Sequence, residues 1–486
     1  MICKPRRLSP AAILFFFYKD IKNLFIPVVI FAFATFKQAR FWTIIGLVAV
    51  FILVIVGDLV KYMTFSYQFF NREILVRKGI FVKKVNHIPY DRIQNVTVNQ
   101  WFFLKPFKLE ELEIETAGHS EGPEVSLVAV SVTLKEELNN YRKQFKATVT
   151  TGEEEDDAEV SNSQSYAITW RELIKFSVTS PAFLSGLLVV LAIYGKAQHS
   201  ISKQMYVAMA KEFSHLGWIV VVVGMSLIIL IFYLISVFAL IARYYHFNLR
   251  MENNQFEMQY GLFKTKKTSI SQNRIQAVVV KQTLLRRLLH IASVKLVIIS
   301  NSQKENTEKD IIVMPVIETA KLQPFMRKFF PSIPVNNCQT ITANVGTYYY
   351  DLRNAIIFSL LTDLLIGLFI FRISFILNIS VVILSAIFWI TPAYLNARRA
   401  AVTVMDDKYV FLQNNYLTSK NSYYVPKNSI QLLERRQSIW LSQKRFAHLR
   451  LSCRSGIGER NLKVKYLPQS QIDSVIVWYK KDSKFR

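Results

Sequence analysis

One sequence pattern occurs three times in this chain, without gaps and at long spacing. Each copy holds an Ile-Gln pair, a second glutamine six positions later, and a triplet of alternating apolar and charged residues that ends fourteen positions after that. The copies are Arg92-Ile93-Gln94 with Gln100 and Leu112-Glu113-Ile114, Arg274-Ile275-Gln276 with Gln282 and Val294-Lys295-Leu296, and Ser429-Ile430-Gln431 with Gln437 and Leu449-Arg450-Leu451. Self-similarity at a long period marks repeated structural modules. The chain is therefore predicted to be a triplicated unit, and its function is to be sought in that unit.

Apolar segments of membrane-spanning length accompany the repeats. The 486-residue chain is 51% hydrophobic and 13% aromatic, which is high for a soluble protein. Six candidate spans come in three pairs: Leu24 to Phe36, Phe41 to Val60, Val178 to Tyr194, Trp218 to Ala242, Ala355 to Phe371 and Ile373 to Thr391. The first has only thirteen residues, whereas a spanning helix needs about 17 to 25, so we expect it to recruit Ile21 and its neighbours. Three transmembrane hairpins are predicted.

Each hairpin precedes a polar segment that holds one copy of the pattern. The predicted boundaries are transmembrane hairpins at 1-60, 166-242 and 345-395, soluble domains at 61-150, 243-335 and 396-486, and a linker at 151-165. Arg243 and Arg398 follow spans on the side of the soluble domains, and flanks rich in Lys and Arg stay in the cytoplasm. The three soluble domains are therefore predicted to be cytoplasmic. No cleaved signal peptide is expected, because Lys19 and Asp20 interrupt the first apolar stretch.

The linker is acidic and poor in apolar residues. It contains the run Gly152-Glu153-Glu154-Glu155-Asp156-Asp157 and then Ser, Asn and Gln residues. Such a stretch cannot bury a core and is predicted to be disordered. An alternative interpretation is that it acts as a decoy for the basic face of a neighbouring domain.

Within the soluble segments the periodicity is that of short strands. Runs such as Glu73 to Arg77, Asn95 to Val98 and Ala277 to Val280 are separated by turn residues, which is typical of an antiparallel sheet. Gly79 and Gly261 are the predicted turn residues in copies one and two, and Asn414-Asn415 in copy three. A helix is predicted at the end of each domain, at Leu134 to Phe145, Val316 to Phe329 and Ser470 to Lys480. Each domain is expected to be a small barrel-like sheet plugged by its C-terminal helix.

These residues resemble a known group of proteins. A transmembrane hairpin followed by Val76-Arg77-Lys78-Gly79-Ile80-Phe81, Ile88-Pro89 and the Arg92 copy of the pattern is similar to bacterial pleckstrin-homology-like (PH-like) domains, and the whole chain resembles YdbT-type membrane proteins with three such domains. The third copy departs from the motif, since Ser429 replaces the arginine and the turn glycine is missing. The resemblance implies membrane α-helical hairpins plus three α+β domains, each a split seven-stranded β-barrel with a C-terminal helix. It also implies a bacterial cell (inner) membrane location and a smaller single-domain PH-like membrane protein as partner, with no cofactor.

Positive charge rises along the chain. The domains at 61-150, 243-335 and 396-486 hold 13, 15 and 18 Lys and Arg against 10, 6 and 6 Asp and Glu. A cation held near an anionic membrane surface contributes about 1 kcal/mol to binding. The candidate lipid-binding residues are Arg77, Lys78, Lys83 and Lys84 in copy one and Lys264, Lys266, Lys267, Arg286 and Arg287 in copy two. The alternatives are ordinary positive-inside bias and an exposed strand face, and a specific phosphoinositide pocket is not expected because its full set of cations is absent.

The arginines that open the first two copies of the pattern have two interpretations. Arg92 and Arg274 recur and could form a binding site, or arginine and glutamine could satisfy backbone carbonyls at strand ends and fix the turn. The structural interpretation is preferred, because Gln431 is kept in copy three without the arginine.

Few ionisable residues lie in the predicted spans. Asp363 is near the middle of the fifth span, and Asp58 is near the end of the second. Ionisable residues inside a membrane are functional candidates by default. Asn378 on the facing helix could share a hydrogen bond with protonated Asp363, which would make the pair a structural polar clamp.

No pattern of an enzyme or of a metal site is present in the sequence. The seven histidines form no H-E-x-x-H pair, no G-x-S-x-G or phosphate loop occurs, and the three cysteines have no C-x-x-C spacing. Membrane tethering makes lipid or protein a better partner than nucleic acid. The leading hypothesis is a non-enzymatic membrane scaffold whose PH-like domains bind protein partners or anionic lipid headgroups, with a role in envelope integrity or in tolerance of membrane-active peptides. The alternative is a transporter or lipid-handling protein that uses the helix bundle around Asp363.

Overall fold

The computed structural model describes residues 5–35, 40–79, 82–116, 123–149, 164–180, 217–252, 254–299, 310–334, 345–370, 375–416, 419–455 and 458–481. The chain divides into two compact units. Unit 1 comprises Met1–Ser161, Ser180–Asn248 and Glu257–Ser269, and unit 2 comprises Asn162–Thr179, Leu249–Phe256 and Ile270–Arg486.

Helices and strands alternate in the order that the repeats predict. The helices are α1 (Ala12–Thr35), α2 (Arg40–Thr64), α3 (Leu134–Val149), α4 (Trp170–Val178), α5 (Gly217–Tyr244), α6 (Leu284–Leu288), α7 (Thr319–Phe329), α8 (Val345–Ile370), α9 (Phe375–Arg399), α10 (Ile439–Gln443) and α11 (Gln469–Lys480). The strands of repeat 1 are β1 (Ser66–Phe69), β2 (Glu73–Lys78), β3 (Lys84–Pro89), β4 (Ile93–Trp101), β5 (Leu109–Thr116) and β6 (Val125–Ser131). After β7 (Gln164–Ala167), repeat 2 contributes β8 (Asn248–Glu252), β9 (Gln255–Tyr260), β10 (Lys264–Ser271), β11 (Ile275–Gln282), β12 (Ile291–Ile298) and β13 (Ile311–Glu318). Repeat 3 contributes β14 (Ala401–Met405), β15 (Tyr409–Tyr416), β16 (Ser419–Pro426), β17 (Ile430–Arg436), β18 (Phe446–Ser455) and β19 (Gly458–Pro468).

Unit 1 holds repeat 1 as two antiparallel halves. One half is the sheet β1-β2-β3, and the other has the order β6-β5-β4 and continues into β10 and β9. The hairpin between β2 and β3 turns at Gly79, whose φ is +100° and where a Cβ would lie 2.2 Å from the Val82 carbonyl oxygen. Gly261 has φ +116° and a Cβ would lie 2.1 Å from the Lys264 carbonyl oxygen, so both turns require glycine. The two turn glycines predicted from the sequence are confirmed.

The core of unit 1 is filled by both halves and by the beginning of α1. Leu8, Ala12 and Phe15 are buried in the same cluster as the sheet residues Leu112 and Ile114. Helix α3 closes the core in the position expected of the C-terminal helix. The first turn of α1 is therefore committed to the soluble domain, which shortens the part of this helix that is available to a membrane.

Unit 2 holds the second half of repeat 2 together with the whole of repeat 3. Its sheets have the orders β13-β12-β11-β16-β15-β14 and β17-β18-β19. Ala277 and Val279 of β11 are buried in one cluster with Val402, Val410 and other residues of repeat 3. The two repeats thus share a hydrophobic core in this unit.

The strand count and one turn differ from expectation. Each repeat contributes six strands in the described residues rather than seven. In repeat 1 Arg6 forms an isolated bridge to Tyr67 beside β1, and in repeat 2 the preceding strand β7 lies next to β8. The prediction that Asn414-Asn415 forms the turn of copy three is wrong, because both residues pair with β16 within β15. The predicted C-terminal helices are present as α3, α7 and α11, although the first three residues assigned to the second of them end strand β13.

The predicted linker is shorter than 151-165 at its C-terminal end. Gln164 and Ser165 belong to β7, and the preceding part of the linker lies outside the described residues. Thr169 then begins α4 with a capping box, in which its hydroxyl accepts a hydrogen bond from the Glu172 amide at 3.4 Å and the Glu172 carboxylate accepts one from the Thr169 amide at 3.0 Å. Burial opposes ionisation of Glu172, but these bonds and the ammonium of Lys321 hold its pKa below its ordinary value.

Three helices in the described part of the chain are long and apolar enough to cross a membrane. They are Phe41–Thr64, Ser226–Tyr244 and Ile379–Arg399, one from each predicted hairpin. The prediction of six spans is not confirmed. Helix α1 begins in the domain core and carries Lys19, Asp20 and Lys22, α8 is a helix with Asp351, Arg353 and Asp363 along its length, and most of the segment from Val178 to Tyr194 lies outside the described residues.

Candidate functional site: the junctions between repeats

Successive repeats are joined by strand pairing as well as by the chain. In unit 1, β10 of repeat 2 pairs antiparallel with β4 of repeat 1, and Thr268 lies opposite Thr97. In unit 2, β16 of repeat 3 pairs antiparallel with β11 of repeat 2, and Tyr423 lies opposite Val279. In both cases the third strand of one repeat adds to the fourth strand of the repeat before it.

The two junctions have the same register. When the repeats are aligned on their conserved spacing, Gln100 corresponds to Gln282, and their opposite residues are Thr265 and Lys420. These two lie at equivalent positions, each seven residues before the 3-10 turn that leads into the fourth strand. The sequence pattern therefore marks one junction geometry that is used twice.

The second glutamine of the pattern has a structural role. The Gln282 side chain donates to the carbonyl of Ile291 at 3.5 Å, and the Gln437 side chain donates to the carbonyl of Phe446 at 3.0 Å. Both bonds close the loop that contains the short helix after the fourth strand. Lys108, His290 and Arg445 end the corresponding loop in the three repeats, with φ of 53°, 54° and 55°.

The arginine of the pattern in copy one lies outside the contact that the structural interpretation predicts. Arg92 is exposed at the end of a 3-10 turn. The carbonyl of Ile93, which begins the next strand, instead accepts a hydrogen bond from Arg142 of α3 at 3.3 Å. A structural role is thus seen for the second glutamines Gln282 and Gln437, and in copy one the strand-end carbonyl is bound by Arg142. For Arg274 both interpretations stay predictions.

Two of the edge strands in the described part of the chain are third or fourth strands of a repeat without a junction partner in the sheet order. β3 is one edge strand of the first sheet, and β17 is one edge strand of the last. They are the third strand of repeat 1 and the fourth strand of repeat 3, so each is one half of a junction. Edge strands present unpaired backbone N–H and C=O groups and are templates for another strand.

The predicted lipid-binding residues fall into two groups. Arg77, Lys78, Lys83 and Lys84 are all exposed on the hairpin of β2 and β3, and Lys78 lies opposite Lys84. Lys264, Lys266 and Lys267 instead lie on β10, inside the first junction. The Lys264 ammonium is 4.9 Å from the centre of the Trp101 ring, and Lys266 also has an interaction partner. Lipid binding by these lysines stays a prediction.

The two arginines of α6 have opposite environments. Arg286 is buried, donates to the Ser293 hydroxyl at 2.7 Å and stacks over Phe176 with its guanidinium carbon 4.5 Å from the ring centre. Arg286 therefore does not lie on the exposed surface with Arg287, because its charged group faces the interior of the domain. Arg287 is exposed.

A basic cluster that the sequence analysis did not identify lies in the second junction. Lys420 of β16 is opposite Asn415 on one side and Gln282 on the other. Arg399, the last residue of α9, is buried and donates to the Asn415 amide oxygen at 2.6 Å. Burial lowers the pKa of Lys420, and the charges of Arg399 and Arg287 lower it further. A search of the sequence for neighbouring cations misses this cluster, because its members come from three distant elements.

The polar residues of the third hairpin form a small network. Ser359 donates to the Asp363 carboxylate at 3.4 Å and lies 3.2 Å from the hydroxyl of Ser385, which is on the facing helix. Thr362 lies 2.9 Å from the same hydroxyl. A polar clamp between α8 and α9 therefore exists through Ser385, while the side chain of Asn378, the predicted partner, lies outside the described set. Asp58 is paired with Lys61 at 2.8 Å.

Two adjacent carboxylates of β5 are both buried but differ in their partners. Glu111 accepts hydrogen bonds from Ser126 at 3.0 Å, Trp101 at 3.2 Å and Asn99 at 3.3 Å. One carboxylate oxygen of Glu110 has no hydrogen-bond partner among the described residues. Burial raises the pKa of Glu110 to about 7, although the charges of Lys267 and Lys135 oppose the change.

In the described ranges no three His, Cys, Asp or Glu residues are placed to bind a metal ion. Cys453 is a buried free thiol of the unit 2 core.

Comparison with known proteins agrees with this architecture. The family model of the Bacterial PH domain matches residues 21–144, 206–328 and 357–483, so each match covers part of a hairpin and the domain that follows. The chain is 24% identical to the UPF0699 transmembrane protein YdbT of Bacillus subtilis (strain 168), over 99% of each chain. Neither name describes an enzymatic activity. The three matches, the repeated junction and the apolar helices together make this chain a membrane protein of the Bacterial PH domain family, with three copies of the domain.

Proposed function

We propose that this protein is a non-enzymatic membrane scaffold whose PH-like domains bind a further PH-like domain of another chain. The observation that carries the proposal is the repeated junction. Two repeats of the same chain already bind each other through the third and fourth strands in one register. The open edges β3 and β17 are the two unused halves of this junction.

The register specifies what a partner strand would meet. If the junction geometry were used between β17 and a β3 edge, Glu434 would lie opposite Asn86 and Arg436 opposite Lys84. Like charges directly opposite each other destabilise a strand pair by about 0.2–1 kcal/mol. In the internal junctions the lysines lie opposite uncharged residues, as Lys267 does opposite Val98.

A second copy of this chain is therefore a poor occupant of either edge. A better partner is a separate PH-like membrane protein that places a carboxylate opposite Lys84 or opposite Arg436. Such a partner fits the smaller single-domain relative that the family resemblance implies. In this proposal the domains lie on the cytoplasmic side of a bacterial inner membrane, and the exposed cations Arg77, Lys78 and Lys83 face anionic lipid or the partner.

Site-specific photocrosslinking in native membranes tests the proposal. A benzophenone amino acid is placed at Val85 on β3 and at Leu432 on β17, both of which are exposed. The matched control is Val477, an exposed residue of α11. We expect mass spectrometry to identify a PH-like protein crosslinked at Val85 or Leu432 and absent at Val477. Crosslinks of the chain to itself, or no crosslink beyond the control, would overturn the proposal.

A transporter built around Asp363 is the second candidate. It is favoured by one observation, since one inaccessible oxygen of this half-buried carboxyl has no hydrogen-bond partner among the described residues. Under this candidate the substitution Asp363→Asn abolishes the cellular phenotype of the protein. Under the scaffold proposal the variant keeps both the phenotype and the crosslinks at the sheet edges.

A further inference from the structure

The basic cluster of the second junction is built around Lys420. The strand register places this lysine between Asn415 and Gln282. Asn415 holds the guanidinium of Arg399, and Gln282 is followed after one residue by the helix that carries Arg287. Three elements of unit 2 thus bring three cations to one place.

The cluster has no balancing negative charge in the described residues. None of its three members forms an ion pair with a described carboxylate, although Arg399 is only 6% exposed and Lys420 is half-buried. The lowered pKa of Lys420 has burial as its main cause and the two arginines as the others, with no acidic group acting on it. Like charges brought together in a partly buried place raise each other's free energy unless an anion joins them.

The position of the cluster indicates which anion is available. Arg399 ends the candidate span Ile379–Arg399. Arg287 lies on a helix whose leucines Leu285 and Leu288 are 55% and 74% exposed, a pattern typical of a segment at a membrane interface. The phosphate groups of lipids lie in the interfacial layer just beyond the apolar end of a span.

The first junction is a natural comparison, because the same positions carry different residues. Lys105 corresponds to Arg287 and Thr265 to Lys420, and they line a cavity of about 280 Å³ together with Tyr245 and His246 of the chain after α5. Among the described residues that line this cavity, Lys105 is the only lysine or arginine. The convergence of three cations is therefore a property of the second junction and not a requirement of the fold.

We propose that Arg287, Arg399 and Lys420 bind the phosphate group of an anionic phospholipid at the end of the third hairpin. The site rests on the membrane location included in the proposed function but not on pairing at β3 or β17. Failure of the lipid assay and failure of the edge crosslinks are therefore separate results.

The test is the rate at which Lys420 is acetylated in the full-length protein. The protein is reconstituted in nanodiscs of phosphatidylcholine alone, of phosphatidylcholine with phosphatidylglycerol, and of phosphatidylcholine alone with added inorganic phosphate. Mass spectrometry follows Lys420 with the exposed Lys444 as the internal reference. We expect phosphatidylglycerol to slow acetylation of Lys420 by about tenfold or more, since each cation at an anionic surface contributes about a fivefold gain in affinity.

Two variants, each of which removes one positive charge, complete the test. Arg287→Gln should lose about fivefold of the protection, because this exposed arginine is a member of the site. Arg435→Gln, which removes an exposed arginine paired with Asp473 elsewhere in the domain, should keep it. No protection by phosphatidylglycerol, equal protection in the two variants, or equal protection by inorganic phosphate would each overturn the proposal, the last because the site would then bind free anions rather than lipid.

Discussion

The buried carboxyl of Glu110 should make unit 1 less stable as the pH rises. Its pKa is raised by burial from 4.5 to about 7, with Glu136 adding to the change and Lys267 and Lys135 opposing it. The folded state therefore binds this proton more tightly than the unfolded state does. The stabilisation is complete below about pH 4.5 and is lost as the pH rises through about 7.

The substitution Glu110→Gln removes the charge and keeps the shape. One pKa unit corresponds to about 1.4 kcal/mol. Because the Glu110 carboxyl ionises more readily in the unfolded state, it lowers the free energy of unfolding by about 1 kcal/mol at pH 5 and about 3 kcal/mol at pH 8. A unit of this size gains about 2–4 °C in Tm per kcal/mol. We expect the variant to melt about 6–12 °C above the wild type at pH 8 and about 2–4 °C above it at pH 5.

Thermal unfolding of the full-length protein in nanodiscs measures this difference. The neighbour Glu111 provides the control, because it is equally buried but accepts three hydrogen bonds. Glu111→Gln replaces an acceptor oxygen by a donor and should lower the Tm at both pH values. Equal melting of Glu110→Gln and wild type at pH 8, or the same gain at both pH values, would refute the argument.

Three further substitutions test local features by thermal unfolding or hydrogen exchange. Gly261→Ala should lower stability by about 2 kcal/mol or more, because its Cβ would meet a backbone oxygen, whereas Gly224→Ala, with no atom within 4 Å, should not. Arg445→Gly should raise stability by about 1 kcal/mol, because glycine adopts the left-handed backbone conformation of this position without the strain that a side chain causes. The neighbouring Lys444→Gly should bring no gain. Thr169→Ala should cost about 1 kcal/mol and speed amide exchange in Trp170–Val178, and unchanged exchange there would contradict the role of the capping box.

The features of single repeats could be predicted from the sequence, because they depend on neighbouring residues. The turns at Gly79 and Gly261 and the C-terminal helices follow from local chemistry. Asn414-Asn415 was misread because asparagine tolerates a turn as well as a strand, and pairing with β16 decides the outcome. Burial of Arg286 could not be foreseen, since it depends on contact with Phe176, more than a hundred positions earlier in the chain.

The junctions could not be predicted in the same way. The pattern identified equivalent residues in the three repeats, but not that the third strand of one repeat pairs with the fourth strand of another. Side-chain periodicity reports which face of a strand is buried and is silent about which strand lies at its edge. The cluster of Arg287, Arg399 and Lys420 follows from that pairing, so it was missed for the same reason.

The core that β11 shares with repeat 3 has a consequence for how this protein can be divided. A fragment that ends between the second and third repeats would leave Ala277 and Val279 without the apolar residues that cover them. It would also leave the backbone of β11 without β16. Boundaries drawn between repeats in the sequence are therefore not boundaries of folding. Because unit 2 also takes Asn162–Thr179 and Leu249–Phe256 from the earlier part of the chain, no single cut of the chain separates the two units.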